Sequence, residues 1–103
     1  MKTPSECQGL ADVRVGIDTL DQQIIERLGQ RMQYVKAASR FKPDLESIPA
    51  PDRVARMLPQ RREWAVEAGL DPDYVEQLFS GLIDWYIGQQ MAYWRAQRHG
   101  SAS

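Results

Sequence analysis

Arg31 interrupts an otherwise apolar series. Leu10, Val13, Ile17, Leu20, Ile24, Leu28, Val35 and Ala38 recur at steps of three and four, and Arg31 fills the single gap among them. That spacing is the period of a helical stripe, so a guanidinium stands where the pattern asks for an apolar group. Lys42 follows eleven residues later, close to three helical turns, which sets the two cations on one face ~16 Å apart. Small Val35 and Ala38 lie between them. Two long cationic side chains leaning toward each other over that floor would bracket a pocket the size of a ring-bearing metabolite. A pair of cations snorkelling at the edge of an interface fits the same spacing equally well.

Gln90 plays a similar part further on, beside Tyr86, Ile87 and Met91. A neutral amide on an apolar face must find hydrogen-bond partners, and in most proteins those partners are structural. Trp85, Tyr86, Tyr93 and Trp94 flank it; helical aromatics like these form core more often than ligand platforms. Arg14 precedes Arg31 by 17 residues, hence by ~25 Å and about 260° of rotation on a continuous helix. One chain cannot grip one small molecule with both. Either Arg14 reaches across from a partner, which makes an interlocked dimer, or it is an ordinary surface charge. Arg53 follows Pro51-Asp52 in the first turn of another predicted helix, near Met57. Arg56, Arg61 and Arg62 read, with Glu63 and Glu67, as a solvated charged face.

Other chemistry finds little support. His99 is the only histidine and lies in the polar stretch RHGSAS. There is no His/Cys/Asp cluster with metal-ligand spacing, no Gly-rich phosphate loop and no Ser/His/Asp set. Neither a metal nor a cofactor is expected. A reaction that needs only orientation and charge stabilisation stays open.

Helices must position these groups. The first stripe predicts a helix from about residue 10 to 41, ~47 Å long. Gly16 and Gly29 interrupt its propensity, and Pro43 stops it, because the residue before a proline is driven from the α region. The segment 43–51, PDLESIPAP, carries three prolines and reads as a surface loop. A second helix is expected from Pro51 to Ala68, with Val54, Met57 and Leu58 on one side and Gly69 as its C′ residue. Pro59 should kink it or limit its first part. Asp71-Pro72 is an N-cap followed by proline at N1. The third helix then runs to about Arg98, its apolar face formed by Val75, Leu78, Phe79, Leu82, Ile83, Tyr86, Ile87, Met91 and Trp94. No strand alternation and no internal repeat appears. The reading is all-α: three helices, long, medium and long.

Composition narrows the partners. A chain of 103 residues is one domain's worth, and a domain of that size buries only ~60–65% of its unfolded surface, so a partner chain would help it. Thirteen basic against 14 acidic residues leave a net charge of −1, with no broad attraction to nucleic acid or anionic membrane. Cys7 is the single cysteine, a bystander that suits a reducing compartment. The start, MKTPSECQGL, is not that of a signal peptide, and no apolar run approaches the ~18 residues of a membrane span. A cytoplasmic location is expected.

Taken together, Arg14, Arg31, Lys42, Arg53 and Gln90 on a long-medium-long helical plan resemble the all-helical chorismate mutase superfamily, and within it the isochorismate-pyruvate lyases of salicylate and siderophore biosynthesis. The likeness covers about residues 8–98, and its most specific segments are RMQYVKAASRFK (Arg31–Lys42), IPAP with Arg53, and WYIGQQMAYWR (Trp85–Arg95). It implies the type II chorismate mutase fold: one helical domain per chain, paired as an intertwined homodimer with two equivalent shared sites. In each, the partner's Arg14 and this chain's Arg31 would hold the two carboxylates of isochorismate, a bidentate task suited to guanidinium. Lys42 would face the ether oxygen, where negative charge grows as the C–O bond breaks. Gln90 would bond the same region or a carboxylate, Arg53 would assist the anion site, and Val35, Ala38, Met57 and Ile87 would form apolar walls. Lys42, Arg31 and Gln90 are thus the implied catalytic groups. The family reaction is pericyclic and calls for no general base. Because Lys42 borders the Pro-rich segment, loop closure could bring it in and exclude water.

The same resemblance leaves chorismate mutase as a rival activity. Mutases of this family commonly carry an acidic residue after the arginine of the second helix, to bond the ether oxygen; here that position is Val54. Losing such a hydrogen bond costs ~2–4 kcal/mol, so the lyase is expected as main activity and the mutase as a weak side reaction. A non-catalytic helical dimerisation module, with every named cation a surface charge, is the reading from another class.

Overall fold

The computed structural model describes the backbone of residues 1–102 and the side chains of residues 1–98. The side chain of His99 lies outside the described residues. The chain runs through a 3-10 turn (Pro4–Glu6), helix α1 (Leu10–Ala38), two further 3-10 turns (Ser39–Phe41 and Leu45–Ser47), helix α2 (Pro51–Glu67) and helix α3 (Pro72–Ala102). Among the described residues there is no strand. With 29, 17 and 31 residues, the helices follow the expected long-medium-long plan.

The chain divides into two units, Met1–Tyr34 and Val35–Ser103. The first is the body of α1 with a short N-terminal hook. Thr3 and Glu6 cap the opening turn reciprocally, and Asp12 accepts from the Lys2 ammonium at 2.9 Å and the Gln8 amide at 3.0 Å. The sequence reading contained no such hook. Leu10, Val13, Val15, Ile17, Leu20, Ile24 and Ile25 are all exposed, and α1 buries none of its residues fully. A helix standing alone in water is marginal even when long. This stripe therefore has the periodicity of a buried face without a cover from its own unit.

The second unit has a core. Helix α2 packs on α3, and the 3-10 turn Ser39–Phe41 also packs on α3. Ile48, Met57, Ala65, Val75, Ile83 and Tyr86 are buried together with polar Ser39 and Gln90. Local signals set the helix ends. Pro51 opens α2 at N1, and Gly69 takes φ 76° at C′. The Leu70 amide then donates to the Ala65 carbonyl at 2.8 Å and Gly69 to Val66 at 3.1 Å, the two bonds of a Schellman stop. Asp71 caps α3 through its carboxylate and the Asp73 amide, 2.9 Å apart.

Three expectations need correction in full and one in part. Pro59 lies inside α2 and does not limit its first part. Losing one helical hydrogen bond and crowding the preceding turn costs ~3 kcal/mol, which burial of Met57 and Ala65 on either side offsets. The charged face of α2 is not wholly solvated. Arg62 donates to Asp73 at 2.8 Å and to Glu76 at 3.1 Å, tying α2 to α3, while half-buried Arg61 lies over the rings of Trp64 and Phe79 at 4.7 and 6.0 Å. The tight turn at Gly69 folds α3 back beside α2 and so supplies these partners; Arg56 alone of the three stays exposed. Leu78, expected in the core, is 49% exposed, because it falls with exposed Tyr74 and Trp85 on the outer side of α3. Finally, 43–51 is no plain surface loop: it contains the Leu45–Ser47 turn and sinks Ile48 to 3% exposure.

Candidate active site

Lys42 stands where α1 has just ended. The helix gives way to the tighter Ser39–Phe41 turn, the Lys42 amide donates to the Ser39 carbonyl at 3.2 Å, and Lys42 itself is extended. Buried Ser39 braces this exit by donating its hydroxyl to the Lys36 carbonyl at 2.6 Å. The helical period therefore stops short of Lys42, and contacts from elsewhere hold it. Its main-chain carbonyl accepts from the Trp94 indole N–H at 3.0 Å and from Arg98 Nη2 at 3.2 Å. Its ammonium donates to the Ser47 carbonyl at 3.1 Å. Ser47 is fixed in turn by Asp44, which caps the Ser47 amide at 2.9 Å and accepts the hydroxyl on its carbonyl at 2.8 Å. Half-buried Lys42 is thus held at both its backbone and its charged end.

Gln90 precedes Trp94 by one helical turn and shares its face of α3. Because Trp94 holds the Lys42 carbonyl, Gln90 lies about one turn, ~6 Å along the axis, from the level of Lys42. It is only 6% exposed.

Val35, Ala38 and Ile87 are half-buried and Met57 is buried, all in the same unit as Lys42 and Gln90. Arg53 belongs to this unit too and is exposed in the first turn of α2. Immediately ahead of that helix, Ala50 has φ 43° and ψ 63°. A left-handed alanine costs ~1–2 kcal/mol, and the following Pro51 favours extended backbone there rather than this conformation. Arg14 and Arg31 belong to the first unit, Arg14 exposed and Arg31 half-buried. Unbroken α1 separates them by ~25 Å along its axis. They cannot close on one small molecule from a single chain.

Sequence reading missed Trp94, Arg98, Asp44 and Ser47 as parts of this arrangement. Trp94 entered it only as an apolar residue, although its indole N–H is a donor that a half-buried position leaves in need of an acceptor. No helix among the described residues is long and apolar enough to cross a membrane.

Among the described residues the fold is all-helical, and in its second unit the backbone of Lys42 is held against the third helix, the helix that also carries buried Gln90. The family model of chorismate mutase type II matches residues 13–91, and the chain belongs to that family. It is 58% identical over 98 residues to the isochorismate pyruvate lyase of Pseudomonas aeruginosa, a match covering 95% of this chain and 97% of that one. It is also 33% identical over 73 residues to the T-protein of Haemophilus influenzae. That second match takes in 69% of this chain and 19% of the larger relative.

Proposed function

We propose that this protein is an isochorismate pyruvate lyase that works as an intertwined homodimer. The observation that carries the reading is the 58% identity extending over nearly the whole of both chains. The whole chain would act as one chorismate mutase-like domain, with its core at about residues 8–98. The exposed α1 stripe supports the dimer, since a second copy would cover the apolar face that the first unit leaves open. The separation of Arg14 from Arg31 supports a site shared between chains.

In the proposed reaction, Arg31 and the partner's Arg14 hold the two carboxylates of isochorismate, with Arg53 assisting. The ring–ether C–O bond breaks while a ring hydrogen passes to the enolpyruvyl group, giving salicylate and pyruvate. Negative charge growing on the ether oxygen meets the Lys42 ammonium. An ammonium has three N–H donors, so the bond to Ser47 leaves two for the substrate. Gln90 donates to the same region or to a carboxylate. Val35, Ala38, Met57 and Ile87 wall the ring. No residue shuttles a proton, and neither metal nor cofactor takes part. Salicylate made this way, in the cytoplasm, would feed siderophore synthesis.

Membership of a mutase family supports a second activity, conversion of chorismate to prephenate, and apolar Val54 after Arg53 argues that it is the weaker one. Purified protein given isochorismate and chorismate side by side decides between them. Salicylate fluorescence from isochorismate, faster than prephenate from chorismate, is the expected result. Faster prephenate makes the protein a mutase first, and a stable dimer yielding neither product makes it a dimerisation module.

A further inference from the structure

We infer that Trp94 and Arg98 are positioning residues for Lys42, acting on its backbone rather than on the substrate; this rests on the catalytic role proposed for Lys42. Both donors arrive at one atom. The Lys42 carbonyl accepts from the Trp94 indole at 3.0 Å and the Arg98 guanidinium at 3.2 Å, which uses both of its lone pairs. The two side chains also hold each other, because the Arg98 guanidinium lies over the Trp94 ring at 4.2 Å, a cation–π arrangement. The bracket thus sets the height of Lys42 along α3, one turn beyond Gln90.

The segment after Lys42 is organised by other contacts. Asp44 and Ser47 close their own turn, the Ile48 amide donates to the Leu45 carbonyl at 3.2 Å, and the Ile48 side chain is buried. Before Lys42, Arg40 and Phe41 are exposed and stack on each other at 5.5 Å. Removing the bracket therefore leaves the loop its internal fold and the Lys42 amide its bond to Ser39, but loosens the carbonyl side of the lysine. A displacement of about 1 Å at a catalytic group costs up to ~100-fold in rate. Ground-state binding through the arginines should change much less.

The test is a double-mutant cycle on salicylate formation, with Trp94→Phe, Arg98→Gln and Lys42→Ala made singly and in combination. Trp94→Phe keeps the ring and removes the N–H; it should lower kcat about 10-fold and move KM by no more than about 2-fold. Arg98→Gln, at an exposed position that leaves folding intact, should lower kcat about 3-fold by the same route. In the Lys42→Ala background neither change should lower kcat further. Equal losses in both backgrounds, or no loss in the wild-type background, overturn the bracket while leaving the lyase reading in place. If Lys42→Ala itself leaves kcat untouched, the role of Lys42 fails, and the bracket with it.

Discussion

The ammonium of Lys42 donates to the carbonyl of Ser47, five residues on, at 3.1 Å. Asp44 pins that carbonyl by capping the Ser47 amide, so the charged end of the lysine rests on a turn whose shape comes from a neighbouring side chain. The loop thus holds its cation through contacts of its own. Preorganisation of this kind adds most where charge develops during a reaction.

Lys42→Ala should therefore lower kcat far more than it raises KM. Removing a group that acts mainly in the transition state costs ~2–4 kcal/mol, or about 10²–10³-fold in kcat. Steady-state assays with isochorismate check it. A raised KM with unchanged kcat would make Lys42 a binding residue only.

Arg14→Ala and Arg31→Ala should each abolish activity alone and complement each other when mixed. In a symmetric dimer that exchanges subunits freely, half of the mixed population is heterodimeric and each heterodimer keeps one intact site of two, so about a quarter of wild-type activity should return. Recovery is read after subunit exchange has been shown by a tagged copy. No recovery counts against a site built from two chains.

Ile17→Asp and Ile24→Asp place a carboxylate in the exposed stripe of α1, where Ile17 and Ile24 are 52% and 56% exposed within one chain. Exposed positions tolerate such changes within about 0.5 kcal/mol. If a second copy covers the stripe, each substitution instead buries a charge and should give a monomer with reduced helicity and no activity. Sedimentation and circular dichroism report both, and an intact dimer would place the interface elsewhere.

Ala50→Gly should stabilise the protein slightly. Relief of the left-handed alanine is worth ~1–2 kcal/mol, and the greater freedom of glycine in the unfolded chain takes back ~0.5–1 kcal/mol, so a net gain of about 0.5 kcal/mol is expected in denaturant melts. A loss of stability would mean that Ala50 contributes through its methyl group instead.

Acid should loosen the N-terminal hook at the low end of the carboxylate range. Asp12 is held below the usual carboxylate range by the Gln8 amide first and by Lys2 second, and Glu6 likewise by the hydroxyl and then the amide of Thr3. A carboxylate lowered in the folded state stabilises fully above its unfolded value, and that contribution disappears as pH falls through the folded one. Relative to its intrinsic rate, amide exchange at Gln8 and Thr3 should accelerate as pH drops through and below the carboxylate range, and Asp12→Asn should remove the dependence at Gln8. Exchange that follows only the intrinsic pH dependence would show that the hook contributes no protection.

What the sequence by itself determined was local. The steps of three and four from Leu10 to Ala38 made α1, Pro51 and Asp71-Pro72 began the later helices, and Gly69 ended α2. Each of these signals acts within a turn or two of the residue that carries it, so periodicity and capping chemistry are enough to read them. The separation of Arg14 from Arg31 was legible for the same reason, since a continuous helix sets distance and rotation by counting. Tertiary structure decided the rest. Arg62 found Asp73 and Glu76, Arg61 found Phe79, Ile48 left the surface, and Trp94 reached the Lys42 carbonyl across 52 positions of chain. No spacing rule reports such pairs, because a donor such as an indole N–H or a guanidinium is satisfied by whichever acceptor the packed helices bring near, and that choice is made only when the chain folds back on itself.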